Sequence, residues 1–153
     1  MKSVLSLTFL GMLFFVIPTV TNGQTIPGNT KNEQEIDTLF TSLVHAAEVL
    51  DINKIANSVN DSHKAGFITN GVYFDQFNTL IEDLRNKTKG DVKQSITIQK
   101  KKIAVLSPTI VLLSATGVAE ITINGGNPIT RNIIWSFVFE KINNEWKVIQ
   151  SHQ

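Results

Sequence analysis

The chain has 153 residues, with 14 basic and 13 acidic side chains and no cysteine. So even a balance gives no long-range pull on nucleic acid or an anionic membrane, and the missing thiols exclude both a disulfide framework and a lipid-modified cysteine anchor. The length suits one domain with a sizeable core and is too short for two.

Lys2, the apolar run from Val4 to Val20 and the small-residue stretch Thr21-Asn22-Gly23 read as a cleaved export signal over residues 1–23, with a new N-terminus near Gln24. A retained membrane anchor is the competing reading, because the run approaches the roughly 20 residues that span a bilayer. Cleavage predicts a secreted or periplasmic protein with no stable membrane insertion. It removes Lys2 alone among the charges, leaving 13 basic and 13 acidic residues. Residues 24–32, with Pro27, Gly28 and small polar neighbours, read as a flexible leader, so the folded domain is expected over 33–153.

From Glu33 the apolar residues Ile36, Leu39, Phe40, Leu43, Val44, Ala47 and Leu50 recur at three- and four-residue intervals, which predicts an amphipathic helix. His45 falls on its polar side. Asp51 is placed to cap a short second helix from Ile52 to about Val59, since its carboxylate can accept from an unpaired backbone amide. His63 to Thr69 predicts a short strand ending at the Asn70-Gly71 turn. Tyr73, Phe74, Phe77, Leu80, Ile81 and Leu84 then share one face of a third helix that stops at Lys89-Gly90.

Beyond Gly90 the period falls to two. Val92–Leu106, Thr109–Asn124, Ile129–Ile142 and Glu145 to the end predict four strands, separated by Ser107-Pro108, by Asn124 to Pro128 and by Asn143-Asn144. Such short connections imply an antiparallel meander. Both alternating sets are largely apolar in Ile110–Ile123 and Ile133–Phe139, which predicts a sheet covered on both faces: one by the helices, the other by a second copy of the chain. Lys100-Lys101-Lys102 is the one basic cluster, and its spacing in a strand suits a solvated edge guard better than a binding patch.

This order of elements resembles the nuclear transport factor 2-like superfamily, and within it the SnoaL-like group and the association domain of calcium/calmodulin-dependent protein kinases. The resemblance runs from Glu33 to the C-terminus. It is carried by Phe67-Ile68-Thr69-Asn70-Gly71-Val72-Tyr73, by the strand with Arg131 and Trp135, and by Glu145-Trp146-Lys147-Val148-Ile149-Gln150-Ser151-His152. It implies an α+β fold, a cystatin-like roll in which a cone-shaped, curved antiparallel sheet wraps three N-terminal helices and leaves an apolar cavity at its wide end. It also implies that Arg131 and His152 occupy positions where relatives place pocket residues. Gln150 stands where some relatives carry a second histidine, which weakens a two-histidine site.

The expected pocket lining is Phe67, Tyr73, Phe77, Arg131, Trp135, Gln150 and His152. His152 is the candidate catalytic residue, because imidazole titrates near neutrality, but it needs an orienting partner within hydrogen-bond reach. Arg131 can hold a carboxylate by a two-pronged bond or close a strand-end salt bridge. Glu120 is the one carboxylate well inside a strand, and its face is open from sequence. No metal site is expected, since His45, His63 and His152 are scattered and no paired-histidine spacing occurs. Nor is a nucleotide or other cofactor: Gly125-Gly126 is a hairpin tip and no phosphate loop exists. Asn60-Asp61-Ser62 and Asn86-Lys87-Thr88 fit the glycosylation sequon.

Three functions follow as expectations. The first is an exported homodimer binding a small apolar or carbonyl- or carboxylate-containing molecule. The second is a SnoaL-like isomerase, cyclase, dehydratase or hydrolase using His152 with Arg131 or Glu120. The third is an assembly module without a ligand.

Overall fold

The computed structural model describes residues 29–153; the expected export signal over 1–23 and the leader up to residue 28 lie outside the described residues. Helix α1 (Asn29–Glu48) begins four residues before the expected domain start at Glu33. It ends where Leu50 takes a φ of 55° and Asp51 N–H bonds back to the Ala46 carbonyl. Asp51 caps α2 (Ile52–Asn57) as its position predicts, accepting from Lys54 N–H at 2.9 Å.

The next segment departs from the sequence reading. Strand β1 spans only Phe67–Thr69, and Tyr73 and Phe74, expected to open the third helix, instead form β2 (Val72–Phe74), paired with β1 through the turn at Asn70-Gly71. Both turn residues have positive φ, 50° and 75°, the geometry that matches strand twist in a two-residue hairpin. Helix α3 (Phe77–Lys87) follows, burying Phe77, Leu80 and Ile81.

Four long strands complete the chain: β3 (Val92–Ser107), β4 (Ile110–Ile123), β5 (Ile129–Ile142) and β6 (Glu145–His152). They form the predicted antiparallel meander, the last turn being Asn143-Asn144 with φ of 50° and 68°. Sequence order misses one pairing: β1 lies parallel to β6, giving a six-stranded, curved, unclosed sheet in the order β2-β1-β6-β5-β4-β3. The architecture is the expected α+β cone.

The core lies between the helices and the inner face of this sheet. Ile36 and Phe40 of α1 meet Val111 and Leu113 of β4, Phe137 and Phe139 of β5 and Val148 of β6, with Phe67 of β1 packed on Phe77 of α3 at 5.0 Å between ring centroids. Burying each such side chain stabilises by about 1.5–3 kcal/mol before ordering costs. Phe40 sits edge-on to Trp135 and Phe137, so aromatic rings fill the space between α1 and β5. Among the described residues no helix covers the outer sheet face, and Ile134 is 76% exposed on it.

Candidate functional site

Two β-bulges decide which side chains reach the outer face. In β3, Ile98 pairs with Gly117 and Lys100 with Thr116, so Gln99 is an extra residue and the alternation slips by one. Without the slip, Lys100 and Lys102 would share the inner face with Ile96 and Ile98. With it, Lys101 turns inward, lying over the Phe40 ring and ion-paired to Asp37 of α1, while Lys100 and Lys102 turn outward. In β6, Val148 pairs with Phe139 but Gln150 pairs with Val138, so Ile149 is extra. Ser151 is therefore the buried residue, 3% exposed, and Gln150 and His152 face outward.

The register then lines up four polar side chains on directly opposed positions: Lys102 with Ser114, Ser114 with Ser136, and Ser136 with His152. Lys100, Thr116 and Ile134 form the neighbouring row. These residues line a groove of about 710 Å³ that has no carboxylate among its lining residues. Adjacent strands lie about 4.8 Å apart, so the row runs about 14 Å from β3 to β6. Lysine ammonium groups and hydroxyls offer donors in this space, an arrangement suited to an anion.

The seven expected pocket residues do not converge. Phe67 and Phe77 are buried against each other in the core, and Tyr73 is 57% exposed on the edge strand, its hydroxyl packed where a Cβ on Gly66 would stand. Arg131 shares the helix-facing set of β5 with Ile133 and Trp135 but lies exposed near the start of the strand, opposite Ala119. Trp135 is half-buried against Phe40 and Phe137. Gln150 and His152 stand on the opposite face. Of the seven, only Trp135 and His152 line the outer groove.

Glu120 pairs with Ser95 and Thr130, which puts it on the outer face, exposed, two rows beyond Thr116. Among the described residues the histidine–carboxylate pairs are His45 with Glu48 and His63 with Glu140, the latter at 2.5 Å. His152 is in neither. No group of three metal-ligating side chains occurs among the described residues.

The lysine triplet was visible in the sequence as an edge guard, but its division between the two faces depends on the Gln99 bulge. Ser114 and Ser136 carry no signal alone; only their register opposite Lys102 and His152 gives them a role.

No protein-family model matches the chain. No curated protein matches it either. Solved structures do. A nuclear transport factor 2-like superfamily protein from Salmonella enterica aligns with a TM-score of 0.71 at 16% identity, over 81% of this chain and 90% of that one. The association domain of calcium/calmodulin-dependent protein kinase II from C. elegans gives 0.66 at 13% identity, over 80% and 95%. An uncharacterised protein with a cystatin-like fold from Caulobacter vibrioides gives 0.64 at 12% identity, over 80% and 87%. The chain has the nuclear transport factor 2-like fold. At these identities the likeness concerns fold alone.

Proposed function

We propose that this domain is an exported binding module that holds a small anionic molecule, bearing carboxylate or phosphate, in the groove across the outer face of its sheet. The observation that carries the reading is the opposed row Lys102, Ser114, Ser136 and His152, flanked by Lys100 and free of lining carboxylates. The groove volume falls within the roughly 300–1,000 Å³ usual for small-molecule sites. Binding is favoured over catalysis because, among the described residues, His152 pairs with no carboxylate that would orient it as an acid or base. Export rests on the character of residues 1–23, and the mass of the protein recovered from outside the cytoplasm should correspond to a chain starting near Gln24.

Calorimetric titration with citrate, inorganic phosphate and octanoate tests the site. Citrate and phosphate should bind, more weakly as salt rises, and the double substitution Lys100→Gln/Lys102→Gln should abolish the heat while leaving the unfolding temperature in place. Binding that survives the double substitution, or octanoate binding alone, would refute the anion site.

A second reading is homodimerisation through the same face. It is favoured by the exposure of Ile134, diagonal to Val118 across β4 and β5, on a face that no element among the described residues covers. The fold shared with a kinase association domain adds to it. Sedimentation equilibrium of the wild-type chain and of Ile134→Lys tests it: a dimer that Ile134→Lys dissociates supports the reading, and a wild-type monomer at all concentrations ends it.

A further inference from the structure

A separate groove of about 450 Å³ lies between α2 and α3 and shares no lining residue with the outer-face site; of the expected pocket residues only Phe77 lines it. Its apolar lining is Ala56, Val59, Phe77 and Ile81; its charged lining is Asp61, Lys64 and Arg85. Asp61 reaches it from the loop after α2. Asp61 Oδ2 accepts from the Phe77 backbone N–H at 3.0 Å and from Lys64 Nζ at 3.3 Å. Asp61 Oδ1 is buried and has no hydrogen-bond partner. A buried acceptor without a donor costs about 1–3 kcal/mol, and more when charged, so this carboxylate is short of donors and a cation held beside it in the groove is favoured.

Arg85 supplies the opposite chemistry. One of its terminal nitrogens donates to Asn53 Oδ1 at 3.0 Å, which fixes the guanidinium against α2 and leaves further N–H groups of its five to donate elsewhere. Phe77, which Asp61 caps, and Arg85 are eight residues apart on α3, about 12 Å along the helix axis. An arginine on a helix leans back toward the N-terminus, so the gap between carboxylate and guanidinium is shorter than this by several ångström. An α-amino acid, whose ammonium and carboxylate are adjacent, cannot bridge it. A linear molecule with ammonium at one end, carboxylate at the other and methylenes between can, and its middle would lie on the apolar lining.

We propose that the α2–α3 groove binds such a linear ammonium–carboxylate zwitterion, with the ammonium taking the place of Lys64 Nζ beside the Asp61 carboxylate and the carboxylate accepting from Arg85. Lys64 is the gate. Its side chain is 67% exposed and its bond to Asp61 is long, so it can swing into solvent as the ligand ammonium arrives, at the expense of repulsion while it remains near.

The test is two-dimensional NMR titration of the protein with 6-aminohexanoate, hexanoate, hexylamine and leucine. Shifts in α2, the 60–66 loop and α3 are expected with 6-aminohexanoate, and binding of the other three should be at least ~10-fold weaker, each lacking one end or the spacing. Arg85→Gln, a change at an exposed side chain, should weaken 6-aminohexanoate by ~10-fold, while Lys64→Ala should tighten it, a direction that general damage to the fold would not produce. His152→Ala should leave it unchanged, so failure here is distinct from failure of the outer-face site. Hexanoate binding as tightly as the zwitterion, no shift in α2 and α3, or an Arg85→Gln variant that binds like wild type would each overturn the proposal.

Discussion

Glu35 on α1 accepts a hydrogen bond from the indole N–H of Trp146 on β6 at 2.7 Å. The same carboxylate oxygen accepts from Lys141 Nζ at 2.9 Å, and that ammonium lies 5.3 Å from the centre of the Trp146 ring. Three side chains thus tie the first helix to the last two strands at the end of the sheet where Asn32 also bonds the Pro108 carbonyl. Because they share one oxygen and one ring, their energies should not add. Glu35→Gln, Trp146→Phe and the double variant, compared by urea unfolding, should give a coupling of about 0.5–3 kcal/mol. Strict additivity would mean that the network is not formed in solution.

The same cluster sets a pH dependence. Hydrogen bonds from Lys141 first and Trp146 second hold the Glu35 carboxyl below its ordinary 4.5, outweighing its partial burial. A group whose folded pKa is depressed stabilises the fold fully above its unfolded pKa and loses that contribution as pH falls through the folded value. The difference in stability between wild type and Glu35→Gln should therefore be full at pH 7 and shrink below the ordinary carboxylate range. With the side chain 32% exposed, solvent screening keeps the neutral-pH difference to about 1 kcal/mol. Denaturant titrations at several pH values check this, and a gap that widens in acid would reverse the assignment.

Gly117 should resist substitution. It pairs with Ile98 beside the Gln99 bulge, where the strands close so tightly that a Cβ at 117 would overlap the Thr97 carbonyl oxygen. The obstacle is backbone, so no rotamer change relieves it. Gly117→Ala is expected to cost about 1–3 kcal/mol, read as a lower unfolding midpoint. If the midpoint is unchanged, the bulge is not where the register puts it.

Much of the fold was legible because local signals agreed: Asp51 before an apolar-periodic segment, Asn143-Asn144 between two alternating runs, and two-sided apolar strands on both sides of the 124–128 turn. Tyr73 and Phe74 were misread because two aromatic residues beside Phe77 fit a helical face as well as a strand, and only pairing with β1 decides between them. The parallel contact of β1 with β6 joins residues more than eighty positions apart and leaves no local mark. Gln150 and His152 were misplaced for one physical reason. Extending strict alternation from Trp146 and Val148 puts Gln150 and His152 inside, and a single extra residue, Ile149, reverses both. A bulge residue has no compositional signature here, since isoleucine is as good a strand former as its neighbours.

That reversal is directly measurable, because the chain contains no cysteine. In separate variants, Ser151→Cys and His152→Cys place one thiol at each of two adjacent positions on β6. Strict alternation from Val148 would expose position 151 and bury position 152. The bulged register does the opposite: Ser151 is buried opposite Phe137, and His152 is exposed opposite Ser136. Under native conditions His152→Cys should react with a thiol reagent at close to the rate of the unfolded chain. Ser151→Cys should be slowed by at least ~100-fold, since its reaction needs local opening of a strand held by β1 and β5. Reversed rates would return His152 to the inner face, separate it from Ser136 and Lys102, and remove the row on which the anion site is built.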